Sequence, residues 1–361
     1  MPQENEFPAM KNDRLLKAAW GQEVDVVPVW AMRQAGRYLP EFREERAKCD
    51  FFTMCQTPVL SCKVTLQPLD RFPLDAAIIF SDILVIPQAL GMVVEMRTGE
   101  GPVFPAPLRE PEDLAKLGSP ADVCSKLQYV FDALTLTRKE LKGRAPLIGF
   151  SGAPWTIMAY MIEGKGSKTM SLAKGWLYKH PEASHKLLKI ITDATVNYLV
   201  GQVKAGAQCL QVFESHAEHL GPELFRKFAL PYLEQICNEV KERVAKAGLK
   251  DIPMIVFPKG GHFALKELAA LKYEVIGIDW TVDPALAREI VGPNKTLQGN
   301  LDPCALYADK KFIDNAVKEM IEKFGRNRYI ANLGHGMYPD MDPEHLAAFV
   351  NAVHKYSKKG N

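Results

Sequence analysis

The chain has 361 residues, 47% of them hydrophobic and 24% charged, which excludes a disordered chain, a collagen-like fibre and a coiled coil. Its 45 Lys and Arg against 43 Asp and Glu leave a formal charge of +2. No bulk positive field is available for non-specific binding to nucleic acid or membranes, so any anion must be met by a few locally placed bases.

Short apolar runs recur along the chain: Val27–Met32, Ala76–Phe80, Leu147–Phe150, Cys209–Phe213, Met254–Phe257, Val275–Asp279, Thr296–Gly299 and Tyr329–Asn332. Several are apolar on consecutive positions, as in Ile78-Ile79-Phe80, which is the pattern of parallel strands covered by helices on both faces. Between them lie helical stretches: Pro111–Leu117 opening with favourable first-turn chemistry, then Ala183–Ala205, Pro222–Ala245 and Lys311–Lys323. About 50 to 70 residues separate the early runs and about 20 to 30 the later ones. Eight strand–helix alternations predict an α/β fold, a single-domain (β/α)8 TIM barrel with a deep cleft at the C-terminal ends of its strands. The long early insertions would wall that cleft. An open doubly wound sheet is the rival, but no Gly-rich phosphate turn follows the first run. The domain is expected over residues 12–357, with flexible tails at 1–11 and 358–361.

In such a barrel, chemistry sits just past the C-terminal ends of the strands. Taken in order, those positions hold Arg33 and Arg37; Ser81 and Asp82; Trp155 and Tyr160; Glu214, Ser215 and His216; Lys259 and His262; Asp279 and Trp280; Asn300 and Asp302; and Gly334-His335-Gly336. Ionisable side chains thus gather at one rim. Two guanidinium groups four residues apart suit a ligand carrying several carboxylates or phosphates. The plain alternative is a pair of surface arginines held by Glu41, Glu44 or Glu45. Asp82, after an apolar strand, would be solvated or aimed at a cation or N–H groups, while Asp75 reads as structural. His216 and His219 could begin a metal site, but no third ligand of suitable type is near. Ser215 with His216 is not a hydrolase triad, because no Gly-x-Ser-x-Gly elbow frames the serine. His335 gains backbone freedom from its flanking glycines and could reach a ligand or simply cap the barrel. Tyr160 could donate a phenolic hydrogen bond or pack. His180, His185, His345 and His354 read as structural.

The seven cysteines are odd in number, scattered and without a C-x-x-C pair, which fits reduced thiols. The polar, acidic N-terminus has neither a signal-peptide core nor transit-peptide character. Ala145–Ile162 is uncharged over 18 residues, yet Pro146, Gly149, Gly152 and Pro154 punctuate it as a strand and turn rather than a membrane helix. A cytosolic location is the expectation.

Pro-Val-Trp-Ala-Met-Arg-Gln-Ala-Gly-Arg-Tyr-Leu-Pro at 28–40 closely resembles a signature of the uroporphyrinogen decarboxylases, the animal members in particular. Gly-Phe-Ser-Gly-Ala-Pro-Trp-Thr at 149–156 resembles a second, and similar stretches recur at 78–84, 297–303 and 332–336. The likeness runs from about residue 12 to the C-terminal tail. It implies a carboxy-lyase of haem biosynthesis that works as a homodimer, holds one tetrapyrrole in its cleft, and converts the four acetate arms of uroporphyrinogen III to methyls, giving coproporphyrinogen III. It implies neither a metal nor an organic cofactor. By motif, it assigns substrate binding to Arg33, Arg37, Asp82, Tyr160, Ser215 and His335, and catalysis to Asp82, Arg33 and Tyr160. Two rivals remain. Zinc-dependent, corrinoid-linked methyltransferases share the barrel but need Cys and His ligands, for which Cys209 and Cys304 lack a setting. A non-catalytic tetrapyrrole carrier would use the same basic cleft.

Overall fold

In the computed structural model, which describes residues 7–97 and 99–358, parallel strands curl into a ring with helices outside. The strands are β1 (Ala77–Ile78), β4 (Leu147–Gly152), β5 (Cys209–Glu214), β6 (Met254–Pro258), β7 (Val275–Gly277), β8 (Thr296–Leu301) and β9 (Tyr329–Leu333). They pair in that order, with registers such as Ala77 to Leu147, Gln211 to Ile255 and Gln298 to Ile330. A separate hairpin, β2 (Glu95–Arg97) with β3 (Gly101–Val103), lies in the insertion after β1.

Among the described residues the sheet therefore has seven strands, not the eight that the apolar runs predict. The segment Val27–Met32 takes the eighth position without becoming a strand. It makes one parallel bridge, Val29 to Ala331, while the Asp75 N–H donates to Val29 O at 2.8 Å on its other side. The reason is chemical. Pro28 has no N–H to give. The Val29 N–H goes to the Asp75 carboxylate, the Ala31 N–H to Gln34 Oε1 and the Met32 N–H to Asn332 Oδ1. Side chains have taken the donors that a ladder would use, yet the segment still closes the ring.

The ring interior is filled. Trp30, Ile148, Cys209, Ile255, Phe257, Val275 and Ile330 pack there, joined by a polar layer in which Trp30 Nε1 donates to Gln298 Oε1 (2.9 Å) and Gln298 Nε2 to Gln211 Oε1 (3.1 Å). A buried amide or indole keeps its place only when so paired. Helix Arg14–Ala19 seals the N-terminal end, burying Leu15, Ala18 and Ala19 and accepting from Thr296 Oγ1 through Ala18 O. Outside, Pro181–Lys204 and Lys310–Phe324 match the expected helices closely. The stretch expected as Pro222–Ala245 is two helices, Pro222–Phe228 and Leu230–Lys246. Pro231 explains the break, because its ring cannot follow a continuous helical turn. Pro111–Lys116 is a 3₁₀ segment.

Residues 1–6 and 359–361, the ends of the two expected tails, lie outside the described residues. Nearer the barrel, Lys11 and Asn12 donate their N–H groups to Gly143 O, Phe7 lies 5.3 Å under the Arg138 guanidinium, and Lys358 O accepts from Arg326. No helix among the described residues is long and apolar enough to cross a membrane.

Candidate active site

The polar residues past the strand ends divide into two sets. The first is committed to holding loops together. The Asp279 carboxylate accepts from the Gly260 N–H (2.6 Å) and from the N–H and hydroxyl of Thr281. Asn300 Nδ2 donates to Asp279 O and Val282 O. Asp302 caps the turn Pro303–Tyr307, and Lys259 pairs with Glu218 at 2.5 Å.

The second set is poised. Arg33 and Arg37 lie exposed on a run of turns, not on a helix, so their side chains are not stacked as on successive helical turns. Neither makes an ion pair among the described residues. Of the three glutamates that could have held them, Glu41 is engaged by Arg71 and Glu45 by Lys48 and Lys63, and Glu44 pairs with neither arginine. Arg37 contributes its carbonyl to Arg43 Nη1 and makes no hydrogen bond to the other candidates. Arg33 sits at φ 61°, a left-handed conformation that costs a non-glycine residue on the order of 1 kcal/mol. Its side chain runs against Gly336, where a Cβ would lie within 2.7 Å of Arg33 Nε. Gly334 is as tightly placed, with the Trp280 N 2.5 Å from where its Cβ would be. Neither glycine adopts a positive φ. The Gly-His-Gly motif thus serves close approach, not the backbone freedom that the sequence suggests.

Arg33 is the electrostatic hub. Burial pushes the Asp82 carboxyl above its ordinary range, and the Leu84 N–H (2.7 Å), the Arg33 charge and the Ile83 N–H oppose that rise. Burial also raises Tyr160, with Asp82 adding to the effect and Arg33 opposing it. Burial lowers His335, and Arg33 and Lys259 lower it further. His335 packs edge-on to Trp280 with ring centroids 6.1 Å apart. Tyr160, on helix Pro154–Glu163, lies 5.3 Å from the His216 ring. Burial, then His219 and Lys259, lowers His216 to about 4, and its buried Nε2 has no partner. Asp82, Tyr160, Ser215, His216 and His335 are all half-buried.

One carboxylate stands apart. Glu214 is fully buried, and burial raises it to about 8. It accepts from Thr156 Oγ1, while its Oε2 is unpartnered. Sequence reading placed Glu214 at the rim but gave Thr156 no part, although Thr156 ends the quoted stretch 149–156. No group of three or more His, Cys, Asp or Glu among the described residues is placed to hold a metal ion.

The family described as uroporphyrinogen decarboxylase matches residues 10–356. The chain belongs to the uroporphyrinogen decarboxylase family. The uroporphyrinogen decarboxylase of Homo sapiens is 66% identical over 352 residues, 98% of this chain and 96% of that one. The Danio rerio uroporphyrinogen decarboxylase is 60% identical, covering 98% and 96%. A methyltransferase structure from Methanosarcina mazei superposes with a TM-score of 0.79 over 96% of this chain and 98% of that one. At 21% identity it speaks to the barrel alone.

Proposed function

We propose that the protein decarboxylates the four acetate arms of uroporphyrinogen III to methyls, releasing coproporphyrinogen III in haem biosynthesis. The observation that carries this reading is the pairing of unpartnered Arg33 with the half-buried carboxyl of Asp82 at the rim of a nearly neutral barrel. A substrate with eight carboxylates needs local guanidinium groups, and a ring of pyrrole N–H groups needs one acceptor among them.

The chemistry follows from the substrate. A proton adds to a ring carbon beside the acetate arm and makes the pyrrole cationic. The bond to the carboxylate then breaks, CO2 leaves, and its electron pair flows into that ring as an exocyclic methylene. A second proton on the methylene gives the methyl, and loss of the ring proton restores the pyrrole. Each round consumes one proton net and releases one CO2. The ring is its own electron sink, which is the task that organic cofactors perform elsewhere.

Asp82 accepts from the pyrrole N–H groups and stabilises the transient cation. Arg33 and Arg37 bind acetate or propionate arms, and Arg33 and Tyr160 stand beside Asp82 to assist proton delivery. Tyr160, Ser215 and neutral His335 orient carboxylates. The catalytic domain spans residues 12–357. The protein acts in the cytosol as a homodimer, a state favoured by exposed Trp280, Tyr307 and Tyr338 near the mouth.

The test is anaerobic incubation with uroporphyrinogen and a chelator, followed by chromatography. Products with seven, six, five and four carboxyls are expected. Return of the eight-carboxyl ligand would leave a carrier, and activity lost to the chelator would favour a metal enzyme. Light scattering should give twice the mass of one chain, and a monomer would remove the dimer.

A further inference from the structure

The stretch 149–156 contributes Tyr160's helix to the site, but its own Trp155 and Thr156 have no assigned role. Both are fully buried at the first turn of helix Pro154–Glu163. Neither packs only as a hydrophobe would. Thr156 Oγ1 accepts from the Ser215 N–H at 2.8 Å and donates to the Glu214 carboxyl. Trp155 Nε1 donates to His216 O at 3.0 Å. Two side chains on one helical turn therefore hold the last residue of β5 and the first two of the loop that leaves it. Tyr160 lies just over one turn further along the same helix, with its ring 5.3 Å from that of His216.

We propose that Thr156, anchored by Glu214 and assisted by Trp155, is a positioning residue that fixes Ser215 and His216 relative to Tyr160 and so sets the spacing at which the cleft receives a carboxylate arm. This rests on the reading above that Tyr160 and Ser215 bind substrate carboxylates. The physical case is one of satisfied groups. The Ser215 N–H sits at a strand end where no ladder partner continues, and a backbone donor left alone inside a fold is rare. Thr156 supplies the acceptor, and its own proton needs the acceptor that Glu214 provides. Burial keeps Glu214 largely protonated at neutral pH, so the anchor adds little negative charge beside an anionic ligand. A hydroxyl relay thus holds the loop without repelling the arms that the loop receives.

The experiment compares Thr156→Val, Thr156→Ser and Trp155→Phe with the wild-type enzyme, following uroporphyrinogen turnover and the chromatographic profile. Loss of the Thr156 hydroxyl removes two hydrogen bonds, to Ser215 and Glu214, and predicts KM raised ~10-fold or more in Thr156→Val, with kcat changed far less. Partly decarboxylated intermediates should accumulate as loosened arms let go early. Thr156→Ser keeps the hydroxyl and should restore KM to within about twofold. Unchanged KM in Thr156→Val overturns the proposal. So does a loss of kcat and thermal stability that Thr156→Ser does not rescue, because that is what a purely structural threonine would show. Should Thr156→Val fail to fold, Trp155→Phe decides: a raised KM with intermediates supports the proposal, and wild-type kinetics sink it. An inactive wild type in the same assay would instead refute the decarboxylase reading itself.

Discussion

The two ends of the barrel handle charge in opposite ways. At the closed end, Asp75 is 1% exposed and meets four donors: the Val29 N–H, Asn12 Nδ2, Arg14 Nη1 and His354 Nε2, at 2.8 to 3.3 Å. Burial alone would push its pKa up, but those hydrogen bonds and the His354 charge hold it below the ordinary carboxylate range. At the open end, Asp82 has one backbone N–H at 2.7 Å, its pKa moves up, and Arg33 stands near it without an ion-pair partner. The first arrangement stabilises a fold. The second leaves hydrogen-bonding capacity for something that is not protein.

This contrast breaks first at Asp82. Asp82→Asn keeps the shape and removes the charge, and turnover should fall by about 10²-fold or more. Thermal unfolding should change little, because the asparagine Oδ1 can still accept from the Leu84 N–H. Near-normal turnover would make the two ends equivalent. Asp75→Asn is the mirror experiment. Breaking one partner of a buried charged cluster costs about 3–5 kcal/mol, so urea unfolding should move to much lower denaturant while the folded fraction keeps its kcat. Asp75 titrates lower in the folded than in the unfolded chain. The stability it adds is therefore present above the unfolded value of about 3.9 and is lost as pH falls through the lowered folded value. The acid limb of the stability curve should flatten in Asp75→Asn, and an unchanged limb would show that Asp75 is idle.

Arg37 gives a smaller, sharper test. It is exposed and, among the described residues, is bound only through its own carbonyl by Arg43, so Arg37→Ala should not unfold the protein. Losing a charge-assisted contact worth about 1.5–3 kcal/mol would raise KM by about tenfold or more. Steady-state kinetics that match wild type in both KM and kcat would return Arg37 to the ordinary surface.

Much of this was legible in the chain because both faces of a parallel strand are buried. Consecutive apolar runs such as Leu147–Phe150 and Met254–Phe257 report burial directly, and β4 and β6 fall where those runs do. The run Val27–Met32 misled for the same reason. It is as buried as a strand, but burial does not say whether backbone or side chains satisfy its N–H groups. The rim was legible as a place, since barrel topology fixes where strand ends point. Its division into latches and poised groups was not. Asp279 and Asp82 read alike in sequence, and only three-dimensional neighbours show that Gly260 and Thr281 absorb one while the other stays open. Thr156 stayed hidden because its partners, Ser215 and Glu214, lie about 60 residues away.

The finest probe of the open end uses its two glycines. A Cβ on Gly334 would meet backbone, the Trp280 N at 2.5 Å and Asn300 O at 3.0 Å, which cannot step aside cheaply. A Cβ on Gly336 would meet the Arg33 side chain at 2.7 to 2.9 Å, which can swing away. Gly334→Ala should therefore lower stability by about 1–3 kcal/mol, as overpacking does. Gly336→Ala should fold normally and, by displacing the guanidinium from its place beside Asp82 and His335, raise KM by about threefold, less than the loss of a whole charge-assisted contact. The two substitutions add the same methyl group two residues apart, so their difference isolates what lies opposite each. If both lowered stability alike and left KM untouched, the Arg33 side chain would be a packing element of the wall and the open end would have lost its hub.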